Sequence, residues 1–208
     1  MKPNLIITIG RQFGSGGREV GKILAEKLQL KYYDKELILE ASKASGLCPE
    51  CFEKSDEKAP NRFLNALSKG WLSGASGIPS NGLWSDEMVF KIQSDVIREI
   101  AEKESAVIVG RCADYILREH PGCVSVFIHA NETDCARRIM ARNSGVNQID
   151  ARTLAQKRNK IRASYYNFYT DKVWGDGASY DLCINSSALS AQAVAELIVD
   201  FARRKLGR

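Results

Sequence analysis

Between Leu5 and Leu30 an apolar run, Leu5-Ile6-Ile7-Thr8-Ile9, gives way to a glycine-rich turn, Gly10-Arg11-Gln12-Phe13-Gly14-Ser15-Gly16-Gly17-Arg18. An amphipathic stretch follows, with Val20, Ile23, Leu24 and Leu28 spaced for one buried face, so the order is strand, loop, helix. The helix is expected from about Gly17 to Leu28. A loop this rich in glycine has few side chains to pack, which leaves its backbone N–H groups pointing at something. At a helix N-terminus that something is usually an anion, because orphan donors and the positive end of the dipole converge there.

The mononucleotide P-loop pattern is G-x-x-x-x-G-K-[ST], with the Lys on the transferred phosphate and the hydroxyl on Mg²⁺. Setting Gly16 as the second invariant glycine puts Arg11 first, Gly17 at the Lys position and Arg18 at the Ser/Thr position. The strand, the Gly14-Ser15-Gly16-Gly17 nest, the following helix and one cation, Arg18, are retained. An arginine clamps two phosphate oxygens where a lysine acts as a point charge. The competing reading is a plain glycine turn in an α/β domain.

Further along, a short strand over Leu30 to Tyr33 ends at Asp34, a carboxylate placed either to orient a substrate hydroxyl or hydrated metal, or to cap a helix over Lys35 to Ser45. From Leu47 to Asp86 the signals weaken: a short helix over Asn61 to Lys69 precedes a Gly- and Ser-dense stretch flanked by Trp71 and Trp84. This region reads as a mobile insert or lid, with a surface loop of no role as the alternative. A long amphipathic helix over Ser85 to Glu104 hands over to Ala106-Val107-Ile108-Val109, a continuous apolar run typical of a buried parallel strand. Gly110-Arg111-Cys112-Ala113-Asp114 follows it directly. In open parallel sheets ligands bind beyond the carboxyl ends of the strands, where Gly10, Asp34 and Gly110 would all lie. Arg111 and Asp114 are therefore candidate substrate contacts, against an alternative in which they form a surface ion pair.

Val124 to Ile128 is the fourth strand, Asn131 the expected cap of a helix over Glu132 to Arg142, and a longer helix starts near Asp150. The longer helix carries Arg158 and Arg162 on one face and Leu154, Ile161, Tyr165 and Phe168 on a neighbouring one, while Arg138 and Arg142 share a face of the first. Leu182 to Asn185 completes five strands, and a closing helix over Ser190 to Leu206 is expected to bury Val194, Leu197, Ile198 and Phe201.

The formal net charge of +5 is unevenly spread: Arg137 to Lys172 holds nine basic residues against two acidic ones, so the remainder is slightly acidic. A basic segment on a near-neutral chain is built to meet an anion. Nucleic acid is the general candidate, since Tyr165, Tyr166, Phe168 and Tyr169 follow the cations; a nucleotide on the glycine loop is the more economical one. At 208 residues, 44% hydrophobic and 26% charged, the chain suits one α/β domain. No run approaches the ~20 apolar residues of a membrane span, and the N-terminus enters a strand at once, so a cytoplasmic protein is expected. The six cysteines are scattered; Cys48-Pro49-Glu50-Cys51 supplies only two of the four ligands a zinc site needs.

These blocks resemble the cytidylate kinase-like family, a branch of the P-loop nucleoside monophosphate kinases, over nearly the whole chain. The signatures are Gly10 to Arg18 after the first strand, Tyr32-Tyr33-Asp34-Lys35, Val107 to Asp114, Tyr165-Tyr166 to Trp174-Gly175, and Tyr180-Asp181-Leu182. The resemblance implies a three-layer P-loop NTPase fold with a five-stranded parallel sheet, a helical insert over 47–86 and a basic lid over about 137–165. It also implies ATP and Mg²⁺ as cofactors. Authentic members carry Gly-Arg-Asp after the third strand, where Arg and Asp help bind the nucleotide substrate; here Gly110-Arg111 matches and the Asp is displaced to Asp114. They carry lid arginines that stabilise the phosphoryl group in flight, a region matched by Arg138, Arg142, Arg158 and Arg162.

The expected activity is ATP-dependent phosphoryl transfer to a nucleoside monophosphate, CMP or dCMP. Gly14, Ser15, Gly16 and Gly17 would cradle the donor phosphates and Arg18 would replace the missing Lys. No residue is assigned as a metal ligand. Two other classes stay open: a nucleotide or phosphoanion binder without transfer, favoured by the absent Lys and Ser/Thr, and a nucleic-acid binder working through Arg137 to Lys172.

Overall fold

The computed structural model describes residues 3–34 and 86–207. Within β1 (Ile6–Arg11), alternation sends Ile6 to one face of the sheet and Ile7 and Ile9 to the other, and all three are fully buried. A strand buried on both faces needs helices on both sides. α1 (Gly17–Leu28) and β2 (Lys31–Tyr33) follow, then α2 (Asp86–Lys103), β3 (Ala106–Val109), α3 (Ala113–Ile116), β4 (Cys123–His129), α4 (Glu132–Arg142), α5 (Gln148–Tyr169), a 3₁₀ turn (Gly177–Ser179), β5 (Leu182–Asn185) and α6 (Ala191–Leu206).

The five strands are all parallel in the order β2-β3-β1-β4-β5, with Ile9 opposite Val109 and Val126, and Tyr33 opposite Ile108. The glycine loop therefore leaves the middle of the sheet. One core layer joins Val20 and Leu24 of α1 and Val194 and Ile198 of α6 to Ile7, Ile9 and Val126; the other joins Ile97 of α2, Ile116 of α3 and Tyr166 of α5 to Ile6, Ile108 and Phe127. This is the three-layer architecture of the P-loop kinases. A third, small cluster, Ala136, Ile139, Ala151 and Ala155, holds α4 against α5 and takes in Phe13 from the glycine loop.

Several boundaries move for physical reasons. α5 begins at Gln148 rather than near Asp150 because Asn147 Oδ1 accepts from the Asp150 N–H at 2.9 Å, an N-cap. Asn131 sits at the N-cap of α4 without capping through its side chain, which accepts from Asn185 instead. On α5 it is Tyr166 that is buried, whereas Phe168 is 42% exposed. On α6 the buried face is Val194, Ala195, Ile198, Val199 and Ala202, with Leu197 half exposed, so the helix is rotated from the expected face towards its smaller residues. The helix over Lys35 to Ser45, the insert up to residue 85 and the Cys48–Cys51 pair lie outside the described residues; Asp86 opens α2.

Phe127 ties the second core layer to the ligand end of the sheet, edge-on to Trp174 at 5.1 Å and tilted against Tyr180 at 4.9 Å between ring centroids. Phe127→Ala is expected to lower unfolding stability by about 3–5 kcal/mol, measured by chemical denaturation, since it removes a fully buried ring from two aromatic partners.

Candidate active site

The carboxyl ends of β1, β2 and β3 open into one cavity of about 340 Å³. β1 and the loop contribute Gly10 to Gly14, Gly16, Gly17 and Arg18; Asp34 follows β2; Gly110, Arg111, Cys112 and Asp114 follow β3. α4 and α5 close the opposite side with Arg142, Arg158, Arg162, Tyr165 and Tyr166, and Trp174 and Tyr180 complete the wall. Sequence elements far apart are thus brought together, including most of the residues expected to act.

The loop takes its shape from left-handed glycines. Gly14 (φ 84°) and Gly16 (φ 81°) adopt a backbone other residues resist, and a Cβ on Gly14 would fall 2.7 Å from the Cys135 carbonyl oxygen. Ser15 is fully buried and spent within the loop: its N–H donates to the Gln12 carbonyl at 3.3 Å, as does its hydroxyl at 2.9 Å. Its own carbonyl accepts from Ser186 Oγ at 2.6 Å. Ser15 braces the loop rather than facing the cavity. At the start of α1 the Gly17 N–H donates to Ser15 Oγ at 3.4 Å, and Gly16, Gly17 and Arg18 line the cavity where the helix has no intrahelical acceptors for its first amides. The loop is also fastened to α5, where Asn159 Oδ1 accepts from the Phe13 N–H at 2.7 Å.

The cations around the loop fall into four groups. Arg138 does not line the cavity; it donates to Ser186 O at 2.9 Å, Ser186 Oγ at 3.2 Å and the Gly14 carbonyl at 3.5 Å, holding the loop from behind. Arg142 lies at the rim, 3.4 Å from Glu19. Arg158 and Arg162 face inward from α5; Arg162 donates to the Arg11 carbonyl at 3.0 Å and lies over the Phe13 ring at 5.5 Å. On the β2 side Asp34 is buried between two arginines, with Arg18 Nε on Oδ2 and Arg11 Nη2 3.6 Å from Oδ1, while the Tyr32 hydroxyl donates to Oδ2 at 3.4 Å. Asp34 therefore belongs to the site.

Burial, then the neighbouring charges of Arg11 and Arg18, pushes Arg162 down to about 9; burial pushes Arg111 down to about 10, and Arg11 is lowered by burial with Asp34 opposing. All stay charged near neutral pH. Guanidiniums this crowded, with Asp34 and Asp114 the only acidic residues lining the cavity among the described residues, favour a ligand carrying several negative charges.

Arg111 reaches the cavity through an unusual turn. Gly110, Arg111 and Cys112 have φ of 85°, 61° and 55°, three successive left-handed residues, of which two are not glycine. Such residues cost about 1–3 kcal/mol each and concentrate at functional sites. The turn closes with the Ala113 N–H donating to the Gly110 carbonyl at 3.1 Å and starts α3.

Residues 6–188 match the model of the cytidylate kinase-like family. The chain belongs to that family. It is similar to a cytidylate kinase of Archaeoglobus fulgidus, 27% identical over 93% of this chain and 92% of that protein. A solved structure from Eubacterium ventriosum is 31% identical, with a TM-score of 0.71 over 96% of this chain and 98% of that one. A shikimate kinase from Bacteroides thetaiotaomicron shares the fold at 16% identity, TM-score 0.55, covering 98% and 99% of the two chains. So does a gluconokinase from Sinorhizobium meliloti, also 16% identical, TM-score 0.53, covering 98% and 93%. In this family member the sequence reading misses Arg11, Tyr180 and Trp174 as cavity residues. The signal for Arg11 is its place two residues past the apolar run, at the start of the glycine-rich loop.

Asp114 sits in α3, buried, and accepts from the Tyr166 hydroxyl at 2.6 Å. Burial raises its pKa, against the lowering effect of that hydrogen bond. The folded chain thus holds this proton more tightly than the unfolded one, so the penalty is absent below about pH 4, grows as pH rises towards the folded-state pKa and is constant above it. Asp114→Asn keeps an acceptor for Tyr166 and is expected to gain stability relative to the parent as pH rises from about 4, followed by denaturant unfolding across a pH series. A difference that stays flat with pH would show that the carboxyl is not desolvated.

Proposed function

We propose that the protein is an ATP-dependent kinase that transfers a phosphoryl group to a nucleoside monophosphate, with CMP or dCMP as acceptor. The observation that carries this reading is the cavity itself: the start of a helix and guanidiniums from four separate stretches of chain line one space at the carboxyl ends of the sheet. Family membership and the likeness to the Archaeoglobus cytidylate kinase support the choice of acceptor.

Donor phosphates would lie on the Gly14, Gly16 and Gly17 backbone, with the acceptor towards Asp34, Arg111 and Asp114. Arg142, Arg158 and Arg162, in the basic lid over about 137–165, would meet the transferring group and neutralise its charge, and Arg138 would position the loop they close on. The insert over 47–86 is assigned to the acceptor base, and the whole chain to one domain. Among the described residues no three His, Cys, Asp or Glu side chains gather as metal ligands, and the Ser15 hydroxyl is spent. That donor set fits a Mg²⁺ delivered on the nucleotide's own phosphates, with Asp34 as a cavity carboxylate beside Arg11 and Arg18. When bound, the ion supplies further charge neutralisation of the phosphates.

The nucleic-acid alternative is disfavoured because the basic segment turns Arg142, Arg158 and Arg162 into the cavity, while Tyr165 and Tyr169 pack against Phe90 and Tyr166 is buried. No described helix is long and apolar enough to cross a membrane, in keeping with an assignment to the cytoplasm. A binder that does not transfer remains the second reading, favoured by Gly17 and Arg18 where the P-loop has Lys and Ser/Thr.

Incubation with ATP and Mg²⁺ against CMP, dCMP, UMP, AMP and GMP, read by nucleotide separation, is expected to give diphosphate from CMP or dCMP. Arg162→Ala is expected to lower kcat/KM by about 10²–10³-fold. ATP binding with no diphosphate from any acceptor would replace transfer with phosphoanion binding.

A further inference from the structure

Two departures from the P-loop pattern, Arg for the first glycine and glycine for the Lys, look independent in the sequence. In the structure they are one exchange. A Cβ on Gly17 would lie 2.7 Å from Arg11 Cβ and 3.2 Å from its Cγ, so the Arg11 stem fills the space a side chain at position 17 would need. Farther out, a Cβ on Gly110 would coincide with the Arg11 guanidinium. Gly17 and Gly110 thus form a slot through which Arg11 passes, and its tip stops 3.6 Å from Asp34, between the glycine loop and the carboxylate.

Arg18 is placed differently. Its side chain is 49% exposed and its Nε is engaged on the other oxygen of Asp34. Arg11 is mostly buried and lines the cavity, its residue is held in the sheet opposite Ile128, and its carbonyl is tied by Arg162. We propose that Arg11, rather than Arg18, supplies the charge of the missing P-loop lysine, reaching the donor's terminal phosphates from the first position of the loop instead of its end. The inference rests on the cavity being a nucleotide site and does not require that transfer occur.

Four variants test it: Arg11→Ala, Arg18→Ala, Gly17→Lys, and the exchange Arg11→Gly with Gly17→Lys. Binding of a non-hydrolysable ATP analogue with Mg²⁺ is measured by calorimetry, with thermal melting to follow the fold and Arg11→Lys as a milder replacement. Arg11→Ala is expected to weaken binding about tenfold or more, the loss of one charged hydrogen-bonding group, and Arg11→Lys by less. Arg18→Ala should have the smaller effect. Gly17→Lys alone should melt earlier and bind poorly through its clash with Arg11, and the exchange should restore binding. Parent-like binding by Arg11→Ala and Arg11→Lys would overturn the assignment, as would an exchange variant no better than Gly17→Lys. A parent that binds the analogue but transfers nothing refutes the kinase reading alone, and Arg11 is then judged on binding; a parent that does not bind the analogue refutes both.

Discussion

Guanidinium groups gathered in one poorly solvated cavity repel one another, and the site depends on the fold holding them there against that repulsion. Arg11, Arg111 and Arg162 all have their ordinary pKa values pushed down, first by burial and then in part by neighbouring arginines. Asp34 answers two of the charges and is itself pinned by both. An anion of several charges is the natural counterpart to what remains. Because the cations are already in place, its binding requires little rearrangement at the moment it is needed.

The restraint comes from the middle of the sheet outward. β1 pairs with β3 on one side and β4 on the other, so the strand that ends in Arg11 is the central one of the five. From that anchor the glycine loop is fastened at three further points: Phe13 in the α4–α5 cluster, Ser15 against Ser186, and Gly14 against Arg138. The left-handed turn at Gly110 to Cys112 concedes local strain and in return brings Arg111 to the same cavity while leaving room for the Arg11 guanidinium. Fold and charge cluster are therefore one problem with one solution.

Much of this was legible in the sequence. Apolar runs and turn glycines place four strands within a residue of where they stand and the first, read to Ile9, two residues short of its end at Arg11; the strand-loop-helix at the start points to the correct end of the sheet. The cavity membership of Asp34, Arg111 and Asp114 follows from the rule that ligands meet strand carboxyl ends, and that of Arg142, Arg158 and Arg162 from the match to the lid arginines of the family. What a linear reading could not supply was side-chain direction. Arg138 and Arg142 share a helix face, yet one braces the loop and the other reaches the rim, because Ser186 offers Arg138 two acceptors. Ser15 sits in the middle of the phosphate nest by sequence, yet both its donors turn inward to Gln12. Short helix α3 was missed since its start depends on two non-glycine residues in left-handed conformation, which sequence pattern argues against.

Moving a phosphate cation from a helix start to a strand end changes more than its address. A lysine at position 17 would extend from the first turn of a helix with its rotamers free until a ligand arrives. Arg11 has its backbone fixed in a ladder and its stem confined between two glycines, so much of its conformational entropy is surrendered on folding rather than on binding. Its fork also addresses two oxygens at set angles, where an ammonium serves any direction. Phosphoryl transfer depends mainly on positioning and charge, and a preorganised arginine supplies both. A loop that looks degenerate when its residues are read one at a time is, in three dimensions, a loop whose cation enters from the other side.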